Sequence, residues 1–146
     1  MKKMIAAAAL SFVSGLALAQ TSPVGLWKTI DDDGKTEKSL VRITEAGGVL
    51  TGTIEKLLEP GKQDAKCDKC SDDRKNKPVV GLQVIRDVKQ DADDKAVWTG
   101  GHVLDPNDGK LYKARLKAVD GGKKLEMRGY IGMPMFGRTQ TWLRVE

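Results

Sequence analysis

Residues 125–145 read LEMRGYIGMPMFGRTQTWLRV, and this stretch decides the fold. Two runs of alternating character flank a centre marked by Gly132, Pro134 and Gly137. Period-two alternation broken by Gly and Pro is the signature of two strands joined by a loop. In the first run Leu125, Met127 and Ile131 oppose Arg128 and Tyr130. In the second, Arg138, Gln140, Trp142 and Arg144 share one face, and Thr139, Thr141, Leu143 and Val145 the other. A terminal hairpin of this kind needs a partner edge. The candidate is the first strand after the leader, Gly25 to Ile30 (GLWKTI). Pairing the two closes a barrel.

Between these ends the chain is a series of short alternating runs separated by turn residues. Residues 39–44 place Val41 and Ile43 on one face. Gly47-Gly48 is a tight turn, and Leu50, Gly52 and Ile54 face one way in the next run. A short helical turn is expected near residues 55–59. Regular structure resumes at Val79, with Val80, Leu82 and Val84 on one face. Residues 96–104 (AVWTGGHVL) form a strand in which Gly100-Gly101 marks a bulge or sharp bend. In residues 110–118, Tyr112, Ala114, Leu116 and Ala118 oppose Lys113, Arg115 and Lys117. The fold class is therefore all-β: a single antiparallel up-and-down barrel of about eight to ten strands, with closure removing the exposed edges. Such a barrel encloses side chains or one small ligand.

Residues 1–19 have the form of a secretory signal peptide. Lys2 and Lys3 precede a small-residue apolar run that ends at Ala17-Leu18-Ala19. Residues 20–146 are then one exported domain, expected in the periplasm. The formal net charge of +5 is spread along the chain and interleaved with Asp and Glu. That pattern describes a solvated surface and not a nucleic-acid site. No long apolar run follows the leader, so no membrane span is expected.

Gly25-x-Trp27 near the start and the Arg-rich final strand resemble the calycin arrangement of lipocalins and fatty-acid-binding proteins. The resemblance implies that Trp27 packs beneath an Arg from the barrel end, with Arg144 the first candidate and Arg138 the second. Nearly all of the mature chain is similar to the bacterial exported family catalogued as domain of unknown function 2147. The matching stretches are Gly25-Leu26-Trp27, Cys67-Asp68-Lys69-Cys70, Gly100-Gly101 with Leu104-Asp105-Pro106, Gly109-Lys110-Leu111-Tyr112, residues 128–132 (RGYIG) and residues 137–142 (GRTQTW). This resemblance implies a periplasmic calycin-like barrel with ligand binding suspected, and no established activity.

Within residues 59–78, the longest irregular connection, Cys67-x-x-Cys70 reads first as a disulfide, since an exported chain meets an oxidising compartment. A redox or metal role is the alternative, though zinc needs two further ligands and a thioredoxin-like context is absent. Arg128 and Tyr130 resemble the Arg-x-Tyr pair that grips a fatty-acid carboxylate in intracellular lipid-binding barrels, but Leu125, Met127 and Ile131 compete for the inward face. In the last strand, an inward Trp142 face lines the interior with Arg138 and Gln140. An inward Leu143 and Val145 leave the arginines at the surface, where they avoid the cost of burying charge. His102, sharing a face with Trp98 and Leu104, is a candidate pH-sensitive contact. Tyr112 and Trp98 complete the ligand-facing candidates. Met127, Met133 and Met135 are candidates for an adaptable mouth, and residues 133–136 for an apolar rim at the barrel opening.

No nucleophile motif, metal-ligand set or cofactor motif is present, so no enzyme is expected. The expected function is non-enzymatic binding of a small apolar or amphipathic ligand, a fatty acid or similar lipid. The alternative is an envelope interaction module with a filled barrel and a Cys-stiffened loop.

Overall fold

The computed structural model describes residues 22–146, so the leader lies outside the described residues. Eight strands follow in order: β1 (Gly25–Ile30), β2 (Glu37–Ala46), β3 (Val49–Leu57), β4 (Gln83–Gln90), β5 (Val97–Leu104), β6 (Leu111–Val119), β7 (Lys124–Tyr130) and β8 (Gly137–Arg144). Each pairs antiparallel with the next, and β8 returns to β1 to close the barrel. At the closing seam Trp27 faces Arg144 and Lys28 faces Leu143. The backbone of residues 145–146 extends the seam, with Val145 N–H donating to the Leu26 carbonyl at 2.8 Å.

Alternation puts one row of each strand inside. Val41 and Ile43, Leu50 and Ile54, Ala114 and Leu116, and Leu125 and Met127 are all buried. Fully burying one large aliphatic side chain contributes roughly 1.5–3 kcal/mol before entropy is charged against it. The inward rows are not a uniform filling. At one end, where β2–β3, β4–β5 and β6–β7 turn tightly, Trp27, Ile43, Leu50, Trp98, Leu116 and Leu125 pack together as a plug. At the other end lie the longer connections, residues 31–36, 58–82, 105–110 and 131–136.

The Gly100-Gly101 bulge forms where the sequence places it. Gly100 takes φ 84°, and the β5–β6 register shifts between Trp98 and Gly101. A Cβ on Gly101 would overlap the backbone of Arg86 and Asp87 on β4. Asp87, at φ 61°, lies at this contact. The bulge resets the alternation: Trp98, Gly101 and Val103 face in, and His102 faces out. His102 therefore does not share the Trp98 face, as unbroken alternation had suggested.

Two expectations on local structure are corrected. Residues 55–59 form no helical turn, because β3 continues to Leu57. Residues 79–82 are not strand; Gly81 turns the chain at φ 92°, and β4 begins at Gln83. Val79 and Leu82 are nevertheless buried, because the 58–82 connection folds over the barrel mouth as a lid.

The lid is a built element. Cys67 and Cys70 form a disulfide with Cα atoms 5.4 Å apart, and both residues are buried in the core. Lys66 bridges Pro78 antiparallel. Cys67 N–H donates to Lys77 O and Asn76 N–H to Cys67 O, both at 2.8 Å. Arg74, 3% exposed, donates to Gln83 O at 2.8 Å and pairs with Asp72 at 2.5 Å. That guanidinium pulls the Asp72 carboxyl down to about 2. Asp73 pairs with Arg86 of β4 at 2.9 Å. Beneath the lid, the Lys69 carbonyl occupies the place a Cβ on Gly109 would take.

Candidate functional site

Between this plug and the lid lies a cavity of about 430 Å³, open at the mouth. Pockets that hold small ligands span roughly 300–1,000 Å³. Its floor and walls are apolar: Val41, Ile54, Val84, Val103, Met127 and Trp142. The lid adds Ala65 and Val79. The mouth is charged with both signs, carrying Asp31, Asp32, Glu59 and Asp105 against Lys38, Lys62, Lys66 and Arg138. An apolar interior under a charged rim suits a molecule with an apolar body and a polar end.

The wall formed by β8 carries a continuous polar chain. Trp142 Nε1 donates to Gln140 Oε1 at 2.9 Å. Gln140 Nε2 donates to Asp32 Oδ1 at 2.8 Å. Arg138 pairs with Asp32 Oδ2 at 2.5 Å. Gln140 is thereby fixed in one amide orientation, and Asp32 draws the β1–β2 connection onto the rim. On the neighbouring strands β1 and β2, the Thr29 and Ser39 hydroxyls lie 2.7 Å apart, and both residues are buried. Only one O–H can lie between them, so the accepting hydroxyl keeps its own proton to donate into the cavity.

Burial raises the Asp105 carboxyl above the ordinary range, against the opposing hydrogen bond from Asn107 N–H. Tyr112 OH donates to Asp108 Oδ2 at 2.7 Å, which raises its phenol as well. Lys38 is held charged by its hydrogen bond to Glu59, 2.6 Å away. Two ion pairs cross the mouth: Lys38–Glu59 joins β2 to the lid, and Arg138–Asp32 joins β8 to the β1–β2 connection.

Of the sequence candidates, Tyr112, Arg138, Gln140 and Trp142 come together at this cavity. The Trp142 face of the last strand points inward, and Leu143 and Val145 are exposed. Four candidates are placed elsewhere. Arg128 and Tyr130 lie on the outer face, because Leu125, Met127 and Gly129 take the inner one. Arg128 instead donates to Pro134 O at 2.7 Å and to Thr139 Oγ1 at 2.8 Å. His102 is exposed, turned out by the bulge. Trp98 is buried in the plug, remote from the cavity lining.

At the plug end Arg144 stacks over Trp27, 4.2 Å from the ring centroid. It donates to Gly122 O at 2.5 Å, Val24 O at 2.8 Å and Ser22 O at 2.7 Å. Trp27 Nε1 donates to Pro23 O at 2.7 Å. These two residues close the barrel as the calycin resemblance implied.

Sequence reasoning missed Thr29, Ser39, Asp32 and the lid contributors. Thr29 and Ser39 were legible, since each sits two residues from an inward Trp27 or Val41. The lid residues follow no periodicity and carry no such signal.

The family model described as "Uncharacterized protein conserved in bacteria (DUF2147)" matches residues 25–144. A search of curated proteins finds no match. Among solved structures, protein HP1028 from Helicobacter pylori, described as belonging to the lipocalin family, superposes with a TM-score of 0.73 at 21% identity. The alignment covers 86% of this chain and 84% of that one. The shared feature is the fold, a closed lipocalin-like barrel of eight strands in this chain.

Proposed function

The chain belongs to the DUF2147 family, and we propose that it is an exported, periplasmic, non-enzymatic binding protein for a small amphipathic molecule such as a fatty acid. The observation that carries this reading is the cavity itself. About 430 Å³ stays open at the mouth end of the barrel, above the packed Trp27, Leu50, Leu116 and Leu125. This open volume favours the binding reading over a scaffold whose barrel is filled by its own side chains. The apolar body of the ligand lies against Val41, Ile54, Val103 and Met127. Its polar end meets the rim, where Arg138, Lys38 and the spare Thr29 or Ser39 proton are available. The lid retains the ligand through the Lys38–Glu59 pair and the buried disulfide. Native mass spectrometry of gently purified protein tests this, together with titration of a fluorescent fatty acid. A stoichiometric adduct or saturable probe binding is expected. Absence of both rejects the reading.

A further inference from the structure

The connection between β7 and β8 is the most apolar exposed surface of the barrel. Met135 and Phe136 are each 69% exposed, Ile131 59% and Met133 58%. Loops are ordinarily polar, and contiguous exposed apolar side chains mark interaction surfaces. These side chains are displayed by construction. Phe136 N–H closes a turn onto Met133 O at 2.9 Å. Arg128 holds that turn against the barrel through its bond to Pro134 O.

The outer face beneath the tip is cationic. Cross-strand register puts His102 beside Lys113, Lys113 beside Tyr130, and Arg115 beside Arg128. Among the described residues Lys113, Arg115 and Arg128 form no ion pair. The first carboxylate in these rows is Glu126, opposite Lys117. Unpaired like charges placed side by side on a sheet are unfavourable unless a polyanionic surface meets them.

We infer that the 131–136 tip and the Lys113, Arg115 and Arg128 collar form a docking site for an anionic lipid bilayer. The apolar tip enters the interface while the collar meets anionic headgroups. Charge complementarity selects this occupant, because a neutral apolar partner would leave the collar unmatched. The tip springs from Tyr130 and Gly137, next to Gly129 and Arg138 of the cavity mouth. Docking therefore brings the opening to the membrane. The inference goes beyond ligand binding and does not depend on a ligand in the cavity.

Co-sedimentation with phosphatidylcholine vesicles, with and without phosphatidylglycerol, tests it. Binding about tenfold stronger to the anionic vesicles is expected, falling as salt rises. The double variant Met135→Asp and Phe136→Asp, its fold checked by circular dichroism, should lose about tenfold or more. Lys113→Glu with Arg115→Glu should abolish the preference for anionic lipid. No binding of the unmodified protein to phosphatidylglycerol vesicles overturns the inference without recourse to variants. Binding unchanged in the Met135/Phe136 variant overturns it as well. Concentration-dependent dimerisation in sedimentation, abolished by that variant, would assign the tip to a second copy of this chain instead.

Discussion

The guanidinium of Arg144 lies 4.2 Å from the centroid of the Trp27 ring, across the seam where β8 meets β1. Three carbonyls, from Ser22, Val24 and Gly122, hold it there. One side chain thus joins the N-terminal segment, the β6–β7 turn and the last strand. Replacing Arg144 with Ala should cost about 2–4 kcal/mol, because it strips three carbonyls of a charged donor and uncovers the indole face. Lys cannot reproduce the planar fork and should recover only a minor part. Urea unfolding followed by tryptophan fluorescence measures both.

Gly100 and Gly101 are adjacent but not equivalent. Gly100 needs a positive φ, yet a Cβ there would stand in open space. Gly101 meets the β4 backbone, which cannot move without breaking the sheet. Gly100→Ala should cost about 1 kcal/mol. Gly101→Ala should cost about 2–4 kcal/mol. Equal losses in thermal or urea unfolding would contradict the bulge geometry.

Asp72 couples the lid to acid. Its carboxyl sits at about 2 because of the Arg74 hydrogen bond, below the unfolded value of about 3.9. A depressed acid contributes stability that is present above its unfolded pKa and lost as pH falls through the folded one. The stabilisation from Asp72 should therefore fade between about pH 4 and pH 2. Asp105, raised by burial, acts in the opposite sense, since its ionisation disfavours the fold as pH rises. Asp72→Asn should flatten the acid limb of the unfolding midpoint plotted against pH. A limb unchanged in that variant would show that the pair carries no linkage.

Cavity and outer face separate cleanly by substitution. Val103→Trp, which fills the cavity, should weaken fluorescent fatty-acid binding about tenfold or more. His102→Ala and Tyr130→Phe, both on the outer face, should leave it within about twofold. Loss of affinity at His102 or Tyr130 would place the ligand elsewhere.

The fold was legible because most strands separate their faces sharply. Tyr112, Ala114, Leu116 and Ala118 against Lys113, Arg115 and Lys117 leave no ambiguity. The last strand was ambiguous because Trp142 and two arginines share a face, and an arginine inside a barrel is costly. The resolution is that this strand outruns the dry core at both ends. Arg138 reaches the mouth, where its side chain is 65% exposed, and Arg144 reaches the plug end. Arg138 stays in solvent, and the partly buried Arg144 is compensated by three carbonyls and the Trp27 face; only Gln140 and Trp142 face the interior between them. His102 was misassigned because a bulge resets a period-two pattern, and the sequence marks the bulge without stating which residue it skips. The cavity was not legible at all. Its volume is set by the 58–82 lid, whose position depends on long-range contacts to Pro106, Gly109 and Arg86 that no local pattern encodes.

The central claim is that the mouth half of the barrel holds an amphipathic ligand. A two-dimensional amide and methyl correlation spectrum of the labelled protein, titrated with oleic acid, tests it most directly. The account predicts saturable shifts at Val41, Ile54, Val84, Val103, Met127 and the Gln140 side-chain amide, with little change at Leu125 or His102. A spectrum that does not respond, or shifts confined to the exposed 131–136 tip, would contradict it.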